Sequence, residues 1–543
     1  MAEGYFCAIG QGYKGRHEID LKGKYVVPGF MDGHLHLESS VVSPKEYARA
    51  VLPHGTVSIF ADPHEIANVL GTVGIDYILD STKNLPLEIY IMMSSCVPAT
   101  KFDESGACLT FKEISSYLKN ERVRGLAELM NYPGVVSADD EVISKIMVTA
   151  KEFKRCDGHA PMLKGDALNA YVTAGVESDH ECSGADEALE KLRLGQWIMI
   201  REGTACKKPQ NLMPLISDRY YSRCLFVTDD RHPGDLIREG HIDNIIKKAI
   251  AMGAKPELAY TVASYNAASY FHLNFKGAIA PGYQADFVIL DDVEEVKISC
   301  VYKKGRLVAQ NGVVTDEVSE LLDSYQHEII EKYEDRIYST INLRDFGVEK
   351  LRISDAGAKV IGLVPGEILT TDEGVAKAVD VNHDIIKLAV VERHHNTGHT
   401  GVCFVKGYGI REGAIATSIA HDSHNIIAAG VSDEDICFAV NRLKEIKGGM
   451  VVVNRGKIIC ELSLPIAGLM CDSGVYEVNE KMKELKDAAY RLGASRNIDP
   501  FMTLSFTSLA VIPKIRLTTL GGWMWRSSVL FNVSLDGKAL MRI

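Results

Sequence analysis

Short apolar runs alternate with amphipathic stretches of helical period between residues 27 and 272. This alternation is typical of βα units, in which parallel strands are buried on both faces. We predict eight strands, at Val26–His36, Thr56–Phe60, Glu88–Met93, Val123–Glu128, Asp157–His159, Gly175–His180, Trp197–Arg201 and Leu225–Asp230. Eight such units in about 250 residues make up a (β/α)8 barrel, so the pattern predicts a TIM-like barrel over residues 27–272.

The segments that flank this barrel predict a small β domain. Residues 2–23 are strand-like and interrupted by glycines, and they are too few to form a stable sheet alone. Further strand-like runs lie at Gly277–Leu290 and Val296–Tyr302. We therefore expect a β-sandwich domain built from both flanks, residues 1–26 and 273–315.

A second pattern of strands and turns follows a charged helical segment at Asp316–Glu328. It includes the apolar runs Gly401–Val405 and Met450–Val453. The pattern predicts a C-terminal α/β domain over residues 330–520, and the chain as a whole belongs to the α/β class.

Length and composition indicate a folded enzyme of several domains. The chain has 543 residues, 46% of them hydrophobic and 24% charged, which is too long for a single core. A net charge of -12 argues against nucleic acid or an anionic membrane as partner, so a small neutral or cationic ligand fits better.

Cysteine usage and the N-terminus favour the cytoplasm. The 12 cysteines include no Cys-X-X-Cys pair and are expected to be thiols in a reducing compartment. The chain begins without a basic leader, and no run approaches the roughly 20 apolar residues of a membrane helix.

Polar residues with ligating or catalytic side chains follow nearly every predicted strand. Barrel enzymes build their active sites at the carboxyl ends of the strands, a rule that scattered buried histidines would not obey. Residues two apart on a strand point to the same face, so the imidazoles of His34 and His36 should converge. The strand-end residues are His34, His36, Asp62, His64, Glu128, His159, His180, Arg201 and Asp229.

Six of these residues have the donor types of a two-metal site. Four imidazoles and two carboxylates can hold two divalent ions if one carboxylate bridges them, and two close cations make hydroxide available at neutral pH. Taken singly, Glu128 also fits a helix-facing carboxylate and His159 a turn residue. The six are His34, His36, Glu128, His159, His180 and Asp229.

The motifs around these residues resemble those of the metal-dependent amidohydrolase superfamily and, within it, those of bacterial and archaeal adenine deaminases. The His-X-His pair is shared by the superfamily, whereas Asp62-Pro63-His64-Glu65, Asn131-Tyr132-Pro133-Gly134 and His421-Asp422-Ser423-His424-Asn425 are more specific. The resemblance covers most of the chain, in the segments Pro28–Ser40, Ala61–Gly71, Ser95–Thr100, Gly125–Gly134, Asp157–Pro161, Ser178–Glu181, Thr228–Pro233, Val391–His394 and Ala420–Ile427.

This resemblance implies a reaction, a substrate and a cofactor. The reaction is adenine plus water giving hypoxanthine plus ammonia, in purine salvage, by a chain expected to form a homo-oligomer. Two divalent metal ions are implied, with Mn²⁺ or Fe²⁺ expected ahead of Zn²⁺, although mixed nitrogen and oxygen ligands suit all three. Glu128 would bridge them where many relatives use a carbamylated lysine. The other implied ligands are His34, His36, His159, His180 and Asp229.

Carboxylates are also expected to move protons. Asp229 is the candidate that takes a proton from the attacking hydroxide and passes it to the departing amine. Attack at C6 is helped by a neutral carboxylic acid at ring N1, for which Glu181 is the first candidate; its alternative role is to orient His180. Further substrate-binding or supporting residues are expected at Asp62, His64, Glu65, Arg201 and Asp230.

One polar cluster keeps several interpretations, and both ends of the chain differ from those of relatives. The cluster His421, Asp422, His424 and Asn425 fits an additional metal site, a loop over the barrel mouth or a hydrogen-bonded turn. The start is short compared with relatives, which predicts an exposed sheet edge. Residues 521–543 are atypical: a DNA stretch for Val-Asp-Val-Glu-Lys-Phe read one base later gives Trp-Met-Trp-Arg-Ser, and relatives tend to have that Val-Asp-Val-Glu-Lys-Phe sequence at this position, so we expect a frame-shifted tail from about Gly522.

Other function classes stay open at this point. One is another amidohydrolase, acting on a cyclic amide or an N-acetyl group. Another is a non-catalytic relative that binds purine or metal without turnover. A zinc site of the cytidine-deaminase type is disfavoured, because its Pro-Cys-X-X-Cys half is absent.

Overall fold

The computed structural model describes residues 1–100, 103–204, 209–325, 327–512, 514–524, 529–531 and 541–542. The chain divides into two compact units. The first comprises residues 1–63, 78–95 and 110–331, and the second comprises residues 64–77, 96–109 and 332–543.

The strands, in chain order, are β1 (Tyr25–Pro28), β2 (Phe30–Leu35), β3 (Thr56–Ala61), β4 (Glu88–Met93), β5 (Val123–Leu129), β6 (Arg155–Gly158), β7 (Ser178–Asp179), β8 (Trp197–Arg201), β9 (Cys224–Val227), β10 (Phe287–Asp292), β11 (Lys297–Lys303), β12 (Arg306–Gln310), β13 (Val313–Val314), β14 (Ala358–Leu363), β15 (Thr370–Ala376), β16 (Ile385–Val391), β17 (Thr400–Lys406), β18 (Ala414–Thr417), β19 (Ile426–Gly430), β20 (Gly449–Asn454), β21 (Lys457–Ser463), β22 (Ile515–Thr518), β23 (Gly521–Met524), β24 (Val529–Phe531) and β25 (Met541–Arg542).

The α-helices are α1 (Pro44–Val51), α2 (His64–Leu70), α3 (Thr72–Ser81), α4 (Phe111–Tyr117), α5 (Tyr132–Val136), α6 (Asp140–Lys151), α7 (Gly165–Thr173), α8 (Ala185–Arg193), α9 (Pro233–Glu239), α10 (Ile242–Ala251), α11 (Pro256–Thr261), α12 (Ala267–Tyr270), α13 (Asp316–Ser324), α14 (His327–Ile337), α15 (Asp433–Glu445), α16 (Val475–Arg491) and α17 (Pro500–Phe506). None of the helices in the described part of the chain has both the length and the apolar character needed to cross a bilayer.

Strands β2 to β9 form a closed parallel barrel in the first unit. Strands β2 to β6 pair in chain order, and so do β7 to β9. Main-chain hydrogen bonds join the two groups: Glu177 donates to Cys156 over 2.9 Å, and Asp229 donates to His34 over 3.0 Å. The predicted α/β class with a (β/α)8 barrel is therefore confirmed.

Two predicted barrel strands differ most from the observed ones, and the others shift by up to three residues at their ends. The run Val26–His36 is two strands, because the chain changes sheet at Gly29: β1 pairs antiparallel with β10, whereas β2 pairs parallel with β3. The predicted strand Gly175–His180 shortens to β7, since Gly175 has a φ of +109°, which breaks extended pairing at its start.

The small sheet of the first unit has the order β1-β10-β11-β12-β13, and its neighbouring strands are antiparallel. Phe6, Ala285, Phe287 and Ile289 form the core of one face. The strand-like interpretation of residues 2–23 was wrong, because in this described segment the chain makes only isolated bridges. Four of its glycines have φ between +83° and +144°, which interrupts regular pairing.

The second unit contains a mixed sheet of order β15-β14-β17-β16-β19-β18-β20-β21. Helix α15 packs on this sheet, and Ile436, Val440 and Leu443 of the helix are fully buried. The runs predicted at Gly401–Val405 and Met450–Val453 are strands β17 and β20. The predicted domain limits and the frame-shifted tail stay predictions; Trp525 lies outside the described residues, as does the side chain of Trp523.

The barrel pairing predicts that a larger residue at Gly125 destabilises the fold. Gly125 lies in β5 opposite Arg155 of β6. A Cβ at this position would lie 2.1 Å from the Arg155 carbonyl oxygen and 2.7 Å from Met92 Cε. We expect Gly125→Ala to lower the free energy of unfolding by about 1–3 kcal/mol, because the neighbouring backbone must move. Urea denaturation followed by circular dichroism measures the change.

Gly184→Ala is the matched control, because a Cβ there would meet nothing within 4 Å. Gly184 precedes helix α8 at its N-cap, so its replacement should cost less than about 1 kcal/mol. Equal losses of stability in the two variants would contradict the close strand packing at Gly125.

Candidate metal centre and active site

The barrel brings the predicted strand-end residues to one rim. His34 is in β2 and His36 follows its end, so extended backbone at both positions sends the two imidazoles to the same side. Nearly all these side chains are buried or half-buried. The others that converge there are Glu128 in β5, His159 after β6, His180 after β7, Arg201 at the end of β8 and Asp229 after β9.

Glu128 lies at the centre of four imidazoles. Its Oε1 atom is 3.7 Å from His34 Nε2 and 3.3 Å from His36 Nε2. Its Oε2 atom is 2.6 Å from His159 Nδ1 and 3.2 Å from His180 Nε2. One carboxylate therefore faces two separate imidazole pairs with its two oxygens, which is the arrangement that a ligand shared by two cations requires.

Asp229 completes the donor set on the His34 and His36 side. Its Oδ1 atom is 3.1 Å from His36 Nε2 and 4.0 Å from His34 Nε2. The other oxygen, Oδ2, accepts a short hydrogen bond from Arg201. The Asp229 backbone has a φ of +59°, and its N–H donates to His34, so the strained residue is held in place by β2.

Arg201 links Asp229 to Glu181. Its Nη1 atom is 2.5 Å from Glu181 Oε1 and also contacts Asp229 Oδ2. Glu181 Oε1 lies 3.6 Å from His180 Nε2 and 3.9 Å from His159 Nδ1. The guanidinium thus pairs Glu181 with Asp229, and Glu181 also lies beside two of the histidines.

The buried carboxylates of the site are held in the charged form. Burial raises the pKa of Glu128, but His159, His180 and His36 outweigh burial and hold its pKa well below the usual value. Burial likewise opposes ionisation of Asp229, and Arg201 and His36 outweigh it, so the pKa of Asp229 is also well below its usual value. Ionised carboxylates are the form that binds a divalent cation.

The donor set fits metal ions, and His34 shows this most directly. His34 is fully buried, and among the described residues neither of its ring nitrogens has a hydrogen-bond partner. Burial, with His180 nearby, holds the pKa of His34 well below its usual value. A neutral imidazole left unpaired in the interior costs about 1–3 kcal/mol, which a cation on Nε2 would offset.

Behind the site, aspartates that we did not single out hold the histidine loops. Asp32 accepts hydrogen bonds from the main chain of His34 and of Thr228, and so joins β2 to the segment after β9. Asp179 accepts from the main chain of Ala160 and Glu181. A signal was present, because an aspartate lies one or two residues before three of the four ligand-type histidines, at Asp32, Asp157 and Asp179.

The remaining predicted supporting residues separate into two groups. Asp62 lies behind His36, whose Nδ1 is 3.0 Å from the Asp62 carbonyl oxygen, and Ser94 donates to its carboxylate. Such contacts fix the orientation of a metal-binding imidazole. Asp230 accepts a hydrogen bond from Ser39.

His64 and Glu65 lie in a second polar cluster, in the second unit. Glu65 contacts His421 and His424 there, and all three side chains are buried. Burial raises the pKa of Glu65, but His421, His424 and His64 outweigh it and hold its pKa well below the usual value. Burial lowers the pKa of His424 to about 4.

Comparison with known proteins identifies the family. A model of the adenine deaminase C-terminal domain matches residues 366–527, and a model of the amidohydrolase family matches residues 25–308. The chain is 48% identical over 532 residues to adenine deaminase 2 of Carboxydothermus hydrogenoformans, which covers 96% of this chain and 90% of that protein. The chain belongs to the adenine deaminase family.

Two further adenine deaminases support this assignment. Those of Ligilactobacillus salivarius and Clostridium acetobutylicum are both 43% identical to this chain, over 96% and 94% of its length. They are covered over 90% and 89% of their own lengths. These matches confirm the resemblance to adenine deaminases, and to the amidohydrolase superfamily, that the sequence motifs indicated.

Replacing His34 by leucine tests whether the buried imidazole serves a metal ion. In protein stripped by a chelator, His34→Leu should keep or raise the melting temperature, because it removes two unpaired nitrogens from the interior. The same variant should lose at least one of the two metal equivalents expected around Glu128, as measured by inductively coupled plasma mass spectrometry.

The matched control is His241→Leu in the same unit. His241 is as buried as His34, but its ring contacts Thr56 Oγ1 at 2.8 Å and Asp32 Oδ2 at 3.1 Å. His241→Leu should therefore lower the melting temperature of the stripped protein. A similar loss in His34→Leu would argue against the metal role.

Proposed function

We propose that this adenine deaminase hydrolyses adenine to hypoxanthine and ammonia at the barrel rim, with two divalent cations bound around Glu128. The main support is the contact of each Glu128 oxygen with a separate pair of imidazoles. The names of relatives at 42–48% identity support the choice of substrate.

Two groups of donors would hold the cations. His34, His36 and Asp229 lie on the side of Glu128 Oε1, and His159 and His180 lie on the side of Oε2. Bound cations would ionise water at neutral pH. The family resemblance favours Mn²⁺ or Fe²⁺ over Zn²⁺, although mixed nitrogen and oxygen donors suit all three.

Asp229 is proposed as the group that carries a proton from water to the leaving amine. Its low pKa keeps it ionised, and Arg201 holds one oxygen while the other faces His36. As water oxygen bonds to C6 of adenine, Asp229 accepts one water proton. It then gives that proton to the amino group, the C6–N bond breaks, and ammonia leaves.

Glu181 is proposed as the proton donor to ring N1. The reaction moves two water protons, one into ammonia and one onto N1 of hypoxanthine, so a second acid must serve N1. Protonated Glu181 gives its proton to N1 and recovers one from the oxygen on C6 as the carbonyl forms. Because Arg201 contacts Glu181, this role requires that substrate loosen that contact.

The proposals for pathway, cellular compartment and oligomeric state rest on the sequence. We propose a role in purine salvage in the cytoplasm and a homo-oligomeric state, on the basis of family membership and cysteine usage. The net charge of -12 continues to disfavour nucleic acid and anionic membranes as partners.

The first test is release of ammonia from adenine by protein loaded with Mn²⁺ or Fe²⁺. Asp229→Asn should lower kcat by about 10²–10⁴-fold, because asparagine cannot accept the proton. Asp218→Asn is the control, since Asp218 is exposed and pairs only with Lys255 among the contacts described for it. A protein that opens cyclic amides and releases no ammonia from adenine would contradict the proposal.

Glu181→Gln separates the two roles considered for Glu181. If Glu181 donates a proton to N1, kcat should fall by about 10²-fold or more, while KM and bound metal stay close to the wild-type values. If Glu181 only orients His180, metal content should fall together with the rate. Steady-state kinetics and metal analysis on the same preparation provide both readouts.

A further inference from the structure

A cluster of buried donors in the second unit has no role in the proposed reaction. It joins two segments, one at the start of α2 and one in the loop that precedes β19. Each member is at most 7% exposed. The five members, called the Glu65 cluster here, are His64, Glu65, His421, Asp422 and His424.

Glu65 is the centre of this cluster. Its Oε1 atom lies 2.8 Å from His421 Nδ1 and 3.4 Å from His64 Nε2, and its Oε2 atom makes a short contact with His424 Nε2. One ligand atom from each of Glu65, His421 and His424 lies within 4.8 Å of the other two. Three nitrogens thus converge on one buried carboxylate.

Asp422 supplies a second carboxylate to the same place. Its Oδ1 atom is 3.9 Å from His64 Nε2 and 4.0 Å from His421 Nδ1. Two carboxylates and three imidazoles are more donors than a single hydrogen-bonded pair needs. They are enough to surround one transition-metal ion.

The loop that carries His421 and His424 is held by contacts outside the cluster. The main chain of His421 donates to Ser505 and accepts from Ser508, and its ring stacks on Phe506 with centroids 4.5 Å apart. The His424 N–H donates to Ala420 over 2.7 Å. The imidazoles are therefore positioned by the loop itself, as a preorganised ligand set requires.

We propose that the Glu65 cluster is a further divalent-metal site, additional to the pair of ions around Glu128. It would take Zn²⁺, Mn²⁺ or Fe²⁺ rather than Ca²⁺ or Mg²⁺, because imidazole donors prefer the former group. His421, His424 and Glu65 are the ligands, and His64 and Asp422 fill the remaining positions or orient the ligands.

The bound ion would tie the start of α2 to the loop at residues 421–425. Without it, the tie consists of the contacts that Glu65 makes with His421 and His424. With it, the same residues share a fixed positive charge. The site should therefore stabilise the second unit and should not require turnover.

The experiment counts metal on the wild-type chain first. Chelator-stripped protein is titrated with Co²⁺ or Zn²⁺, passed through a desalting column and analysed by inductively coupled plasma mass spectrometry. We expect three equivalents per chain. Two equivalents in the wild-type protein would overturn the proposal without recourse to any variant.

Variants then assign the additional equivalent. Glu65→Gln keeps the shape of the side chain but removes the anionic ligand, and His424→Gln is a second variant if the first folds poorly. Each should bind one equivalent fewer than the wild type and should lose part of the rise in melting temperature on metal addition. Wild-type stoichiometry in both variants would overturn the assignment.

Two controls separate this site from the rest of the molecule. His383 and Asp380 form an exposed histidine–carboxylate pair in the second unit, 2.7 Å apart, and His383→Gln should keep all three equivalents. His34→Leu should lose metal from the pair around Glu128 while keeping the equivalent that Glu65→Gln removes. If His34→Leu instead keeps all its metal, the proposed function fails while this site stands.

Discussion

The site depends on a single buried carboxylate that faces four imidazoles. Glu128 lies on β5, and the histidines come from β2 and from the ends of β6 and β7, so the contacts exist only when the barrel closes. Such a concentration of polar groups is costly in an interior, because each must be paired or neutralised. The fold supports it with buried aspartates behind the histidine loops and with Arg201 at the rim.

Much of this arrangement could be predicted from local patterns. The spacing of His34 and His36 fixes their common face, and a polar residue after each apolar run is a direct consequence of barrel geometry. The division of the run Val26–His36 into two strands could not be predicted in this way. A glycine inside an apolar stretch does not reveal that the chain leaves one sheet for another. The prediction of strands in residues 2–23 was wrong for a related reason. Four glycines there adopt positive φ angles, which composition alone does not specify.

Contacts between distant segments could not be predicted. Nothing in the sequence places Glu65 beside His421 and His424, more than 350 residues away, although both motifs stood out separately. Likewise, His241 contacts Asp32 through tertiary packing that no periodicity reveals. Arg201 was expected to bind substrate or to support the site; it pairs with two carboxylates, which ties Glu181 to Asp229.

The backbone at Asp229 limits which residues evolution could place there. A φ of +59° is tolerated by aspartate and asparagine far better than by other residues with a side chain. Glutamate offers the same functional group, but it is not among the residues enriched at positive φ. Chemistry and backbone conformation thus favour the same amino acid independently.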